Sequence, residues 1–184
     1  MTVRQNWRLF LGMISPQRCE EIKDLCYKEC NLSNGTIFNS PETTSVAFST
    51  RKTKVGWTEN PELMTMALHF LKEANRDAFK VDVSYLPPLQ FGEYSKEDFY
   101  EWHHDVNWLN NSGYDRKLSF VLQLSDPTTY EGGDFEFKEI EQPYNFKQQG
   151  TVLIFPSYLI HRVTPITKGV RNSLVGWMEG PCWK

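Results

Sequence analysis

The sequence predicts a mainly β chain with helices gathered at its N-terminal end, an α+β arrangement whose core is a double-stranded β-helix, or jelly roll. Two helical patterns, each opened by a capping residue and a proline, lie before Val81. From Val81 on no long helical period returns, and around eight short strand-like runs follow, separated by Pro, Gly, Asn and Asp. The chain has 184 residues, 40% hydrophobic and 23% charged, enough to bury one core but short for two domains. One domain is therefore expected over 1–184, with a helical part over about 1–80 and a jelly-roll core over about 81–180.

Ser15-Pro16 supplies an N-cap and a first-turn proline for a helix to about Cys30. Asn60-Pro61 does the same for a longer helix to about Phe79, on which Leu63, Ala67, Leu71, Ala74 and Ala78 form an apolar stripe. Between them, Asn31 to Thr43 reads as a loop and Ser45 to Trp57, rich in Val, Thr and Ser, as a strand. Leu118, Phe120, Leu122 and Leu124 alternate with Lys117, Ser119, Val121 and Gln123, so one face of that strand is core. Phe135-Glu136-Phe137-Lys138 alternates in the same way, and Thr151 to Phe155 is apolar on both faces. Gly132-Gly133 makes a turn between strands.

Composition narrows the function classes. A formal charge of −3 supplies no general attraction to nucleic acid, which is an unlikely partner on this ground. The one basic cluster, Arg51-Lys52-Thr53-Lys54, reads as a solvated edge rather than a phosphate site. No apolar run approaches the ~20 residues of a membrane span, and Met1 to Trp7 lacks the layout of a secretory signal, so the cytoplasm is the expected location, or the host's cytoplasm for a viral chain. Cys19, Cys26 and Cys30 fall on one helical stripe beside Ile22 and Leu25, as buried free thiols in a reducing compartment.

The chemistry sits in His103-His104-Asp105 and in His161. In a strand, side chains two apart share a face, so His103 and Asp105 can chelate one ion while His104 faces elsewhere. With His161, carried by a second strand, they make two imidazoles and one carboxylate, the set suited to redox-active iron(II) with open positions for a cosubstrate and O₂. Further on, Arg171 and Ser173 share a strand face, and a guanidinium is shaped to hold a carboxylate bidentately.

At these residues the chain resembles the iron(II)- and 2-oxoglutarate-dependent dioxygenases, in their prolyl 4-hydroxylase-like branch of small bacterial and viral type. The resemblance runs from Val81 to Gly180, through Tyr94, His103-x-Asp105, the Leu118 to Leu124 strand, the Tyr130-Glu131-Gly132-Gly133 turn, His161 and Arg171. It implies His103, Asp105 and His161 as metal ligands and Arg171 with Ser173 as the anchor of the far carboxylate of 2-oxoglutarate. Tyr94 matches a tyrosine that lines the cosubstrate pocket in this branch, and reads equally as a packed strand tyrosine. Oxidation of 2-oxoglutarate to succinate and CO₂, with ascorbate as reductant, would accompany hydroxylation of an unactivated C–H bond. A prolyl residue in a peptide or protein is the expected substrate. Hydroxylation of a small molecule or nucleic acid, or a non-catalytic metal-binding jelly roll, are the alternatives.

Trp102, Asn107 and Trp108 flank the metal motif as substrate wall or as core, and Trp177 shares the face of Arg171 and Ser173. The polar segments Tyr94 to Phe99 and Asn107 to Arg116 are both expected at the substrate mouth.

Overall fold

The computed structural model describes residues 5–38, 44–109, 112–142 and 144–184. After β1 (Arg8–Phe10) comes α1 (Pro16–Glu29), and the Ser15 hydroxyl accepts the Arg18 N–H to cap it. Short strands follow as β2 (Ser33–Asn34), β3 (Ile37–Phe38), β4 (Thr44–Ser45), β5 (Arg51–Lys52) and β6 (Lys54–Thr58). The strand expected over Ser45 to Trp57 is thus broken into pieces, and two-residue strands occupy part of the expected loop, whose residues 39–43 lie outside the described ones. The second helix, α2 (Pro61–Ala74), is capped by the Asn60 side chain, which accepts from Glu62 and Leu63. It passes into a π-helical turn, Asn75–Phe79, closed by Lys80 at φ 53°. The wider π turn rotates the register, so Leu63, Ala67, Leu71 and Ala74 are fully buried and Ala78, expected on the same stripe, is only half-buried.

The remaining strands are β7 (Leu89–Tyr94), β8 (Phe99–His103), β9 (Tyr114–Gln123), β10 (Glu131–Gly132) and β11 (Phe135–Phe137). After them come β12 (Val152–Pro156), β13 (His161–Val163), β14 (Ile166–Lys168) and β15 (Arg171–Pro181). A seven-stranded sheet, in the order β1-β12-β9-β15-β7-β6-β2, faces a four-stranded sheet in the order β11-β13-β8-β5. All the strand pairs are antiparallel, the layout of a jelly roll. Gly132, at φ 77°, lets its backbone approach strand β14 closely, where a Cβ would stand 2.1 Å from the Pro165 carbonyl oxygen.

Both faces of the large sheet are covered. On one face Leu118, Phe120, Leu122 and Leu124 of β9 pack under the helices with Cys19, Ile22, Cys26 and Leu71, as the stripe patterns predict. On the other, Leu153 and Phe155 meet Phe135, Phe137 and Val163 of the small sheet. The polar members of the β9 alternation therefore do not face solvent. Ser119 is as fully buried as the leucines, and Gln123 and Lys117 are nearly so.

Candidate metal centre

His103 ends β8 and His161 begins β13, and the two residues are directly opposite in the antiparallel register. Asp105 lies past the end of β8, not within a strand as the two-residue spacing suggested. Its backbone N–H is held by the Ser157 carbonyl at 2.8 Å, so a tertiary hydrogen bond does the work expected of strand parity. His104 turns outward and meets Trp108 edge-on.

The three side chains converge, with ligating atoms within 4.8 Å of one another. Each imidazole points Nε2 at the carboxylate, at 3.7 Å from Asp105 Oδ1 for His103 and 3.7 Å from Oδ2 for His161. Their Nδ1 atoms are engaged elsewhere, with the Glu101 carbonyl oxygen at 2.7 Å and the Leu159 carbonyl oxygen at 2.8 Å. Donating Nδ1–H to a carbonyl fixes the tautomer that leaves Nε2 a free lone pair, as a metal ligand requires. Ring contacts fix the orientation, since Tyr100 stacks on His103 at 3.5 Å and Phe155 meets His161 edge-on at 4.8 Å. Burial, helped by repulsion from His161, holds His103 down to about 3, so it is neutral. Burial alone would push Asp105 up, but His161, His103, Arg116 and the Ser119 hydroxyl outweigh it and hold the carboxyl at about 2. Two imidazoles and one ionised carboxylate on one buried face fit iron(II).

A support layer that the motifs did not reveal stands behind Asp105. Ser119, fully buried on β9, donates to Asp105 Oδ2 at 2.6 Å and lies 2.9 Å from the Ser157 hydroxyl. The available signal was a small hydroxyl residue between Leu118 and Phe120, on the other face of β9.

Arg171, Ser173 and Tyr94 border the same cavity as the three metal-binding candidates. Arg171 pairs with Tyr94 across β15 and β7, its guanidinium carbon 5.5 Å from the Tyr94 ring centre. All three are buried, at 3%, 2% and 6% exposure. Trp177 borders the cavity too, and its indole N–H has no acceptor among the described residues. Arg51 was expected on a solvated edge, and it is buried, bonded to the Gln90 amide oxygen at 2.7 Å and lining this cavity. Lys52 and Lys54 keep the expected surface positions.

The two polar segments expected at the mouth lie at opposite ends of β8. Asn107, Trp108 and Leu109 line an opening that reaches His103 together with Trp102, while residues 110 and 111 lie outside the described ones. The Tyr94 to Phe99 turn enters β8 at the end away from His103, pinned by Ser95 N–H to Asp98 at 2.9 Å and by Glu97 N–H to Ile166 at 2.8 Å. It lies beside Arg171, which pairs with Tyr94 across β15 and β7.

Residues 89–179 match the model of the 2OG-Fe(II) oxygenase superfamily. A PKHD-type hydroxylase of Synechococcus sp. strain CC9311 is 45% identical over 85 residues, which cover 46% of this chain and 38% of that protein. The chain spans about two fifths of the length of the curated relatives it matches. In fold it is similar to the viral collagen prolyl hydroxylase of Paramecium Bursaria Chlorella virus-1, with a TM-score of 0.72 at 14% identity over 96% of this chain and 97% of the other. A Trichoplax adhaerens prolyl hydroxylase, solved with a hypoxia inducible factor peptide fragment, superposes with a TM-score of 0.71 at 16% identity over 94% and 83% of the two chains. Sharing that fold and the family's match across the whole of the strand region that carries the site, the chain belongs to the 2OG-Fe(II) oxygenase superfamily, whose chemistry implies iron(II), 2-oxoglutarate and O₂.

Proposed function

We propose that the chain is a 2-oxoglutarate-dependent dioxygenase that hydroxylates an unactivated C–H bond of a prolyl residue in a peptide or protein. The observation that carries this reading is one cavity bordered both by His103, Asp105 and His161 and by Arg171 and Ser173. The three ligands would hold iron(II), which when bound supplies the oxidising chemistry: 2-oxoglutarate and O₂ are consumed, succinate and CO₂ leave, and one oxygen atom enters the substrate as hydroxyl. Arg171 and Ser173 would hold the far carboxylate, with Tyr94 as the wall beneath the guanidinium. Val121, Phe135 and Trp177 border the rest of the cavity and exclude water from it. Ascorbate would serve as reductant.

Peptide substrates are favoured by the shared fold of prolyl hydroxylases, one of which was solved with a peptide. The formal charge of −3 disfavours nucleic acid, and no helix among the described residues is long and apolar enough to cross a membrane. Residues 1–184 would act as one domain, in the cytoplasm, where the free Cys19, Cys26 and Cys30 stay reduced. The test is succinate formation from 2-oxoglutarate with iron(II) and ascorbate, with and without proline-containing peptides. A peptide-stimulated rate with a mass gain of one oxygen atom on proline is expected, and stimulation by peptides lacking proline alone would overturn the prolyl assignment.

A further inference from the structure

The Tyr130-Glu131-Gly132-Gly133 turn is folded onto Arg171. At Gly133, with φ 63°, a Cβ would meet Arg171 Cδ at 3.0 Å and Ile166 Cδ1 at 2.4 Å. At Gly169 a Cβ would stand 2.2 Å from the Thr129 carbonyl oxygen, so the chain entering the turn is pressed onto the approach to Arg171. Between the two glycines Glu131 pairs with Lys168 in the β10 and β14 register, and their side chains form an ion pair at 3.2 Å.

Arg171 is held at its backbone and at its head. The Ser125 hydroxyl accepts the Asn172 N–H at 2.7 Å and donates to the Val170 carbonyl at 3.4 Å, which fixes the chain on both sides of Arg171. At the head, burial pushes the Tyr130 phenol up, and Arg171 opposes that rise through its charge and a hydrogen bond. Gln123 ties the two supports together. Its amide nitrogen donates to the Tyr130 oxygen at 2.9 Å and to the Ser125 carbonyl at 3.4 Å. Gln123 and Tyr130 are 2% and 4% exposed, so these bonds are made away from competing water.

A guanidinium on a flexible stem loses rotamer freedom when it meets a carboxylate, and the loss is smaller where the protein has already fixed it. Tyr130 and Gln123 are neutral groups, so they orient Arg171 without neutralising the charge that a carboxylate must meet. Neither borders the cavity that holds Arg171 and the metal-binding candidates. Both therefore act through Arg171 and not on a bound molecule.

We infer that Tyr130, held by Gln123, is a positioning residue for the cosubstrate: it fixes the Arg171 guanidinium and so sets the preference of the site for a 2-oxo acid with a far carboxylate. The inference rests on the oxygenase reading and adds the residues that aim its anchor.

The test is binding without turnover. 2-Oxoglutarate and 2-oxopentanoate, which has a methyl group in place of the far carboxylate, are titrated against the whole chain loaded with iron(II) under nitrogen. Visible absorption of the bound 2-oxo acid reports each Kd. Tyr130→Phe should raise the 2-oxoglutarate Kd about tenfold, as loss of a hydrogen bond to a charged group does, and leave the 2-oxopentanoate and iron Kd values within about twofold of the parent. Gln123→Met leaves the phenol in place but untied, and should raise the 2-oxoglutarate Kd about threefold with the same selectivity. This variant carries the test if Tyr130→Phe fails to fold. Equal rises for the two acids would mean that Tyr130 only supports the fold, and they overturn the inference. A 2-oxoglutarate Kd within about twofold of the parent in Tyr130→Phe does the same. Absence of the absorption with 2-oxoglutarate in the unmodified chain overturns the oxygenase reading and this inference with it, whereas its presence beside either failure overturns the positioning role alone.

Discussion

Ser119→Ala leaves all three proposed iron ligands in place and removes the hydroxyl that holds one of them. Ser119 is wholly buried and donates to Asp105 Oδ2 at 2.6 Å. A hydrogen bond to a charged group contributes ~1.5–3 kcal/mol, which at ~1.4 kcal/mol per factor of ten corresponds to roughly 10–100-fold in iron affinity. Removal of the partner of a metal ligand in general costs about the same, roughly 10–100-fold. The Ser157 hydroxyl, 2.9 Å from Ser119, loses a partner and can swing toward the carboxylate, which places the expectation near the lower end, about tenfold. The opposite face of β9, with Leu118 and Phe120 against the helices, is untouched, so the fold should lose only about 1 kcal/mol. Anaerobic competition with a chromophoric chelator measures the iron Kd, and a thermal melt of the metal-free chain is run beside it. An iron Kd within about twofold of the parent would refute the argument that this hydroxyl holds Asp105 in its ligating position.

Three further outcomes are expected. Arg171→Ala should raise the apparent KM for 2-oxoglutarate at least about tenfold, from the ~2–5 kcal/mol of a desolvated charge pair, with Arg171→Lys milder and Ser173→Ala mildest; an unchanged KM in Arg171→Ala would make Arg171 a purely structural arginine. Asp105→Ala and His161→Ala should each abolish succinate formation while far-UV circular dichroism is retained, and near-normal turnover at limiting iron would sink the ligand assignment. Burial pushes the Cys19 thiol up to about 11 and the Cys26 thiol up to about 12, whereas Cys182 is exposed. Iodoacetamide should therefore label Cys182 alone in the native chain. Because these folded values lie above the ordinary 9.0, the stability the two thiols contribute is complete below that pH and is lost as pH rises toward 11 to 12. Labelling of Cys19 or Cys26 as fast as Cys182, read by peptide mass mapping, would contradict the burial argument.

Much of the architecture was legible because it depends on local patterns. Ser15-Pro16 and Asn60-Pro61 mark helix starts by capping chemistry that is complete within four residues, and both helices begin there. The alternation Leu118, Phe120, Leu122, Leu124 marks a strand because side-chain parity is a backbone property. His103, Asp105 and His161 could be grouped because the metal itself dictates the residue types.

Parity misled wherever the chain leaves the strand or the partner lies far off in sequence. Asp105 shares a face with His103 through a bond to Ser157, not through a strand. A sequence does not reveal whether the polar side of an alternating strand meets water or a second sheet, and in the fold Ser119 and Gln123 are buried. Arg51 read as solvated for the same reason, since its burial comes from Gln90, Tyr100 and Gly35 packed around it. The sequence by itself determined the elements and the metal chemistry, because both follow from residue type and spacing along one stretch of chain. Only the tertiary structure decided which polar side chains stand behind the ligands and which cations border the site, because burial depends on what the rest of the chain places opposite.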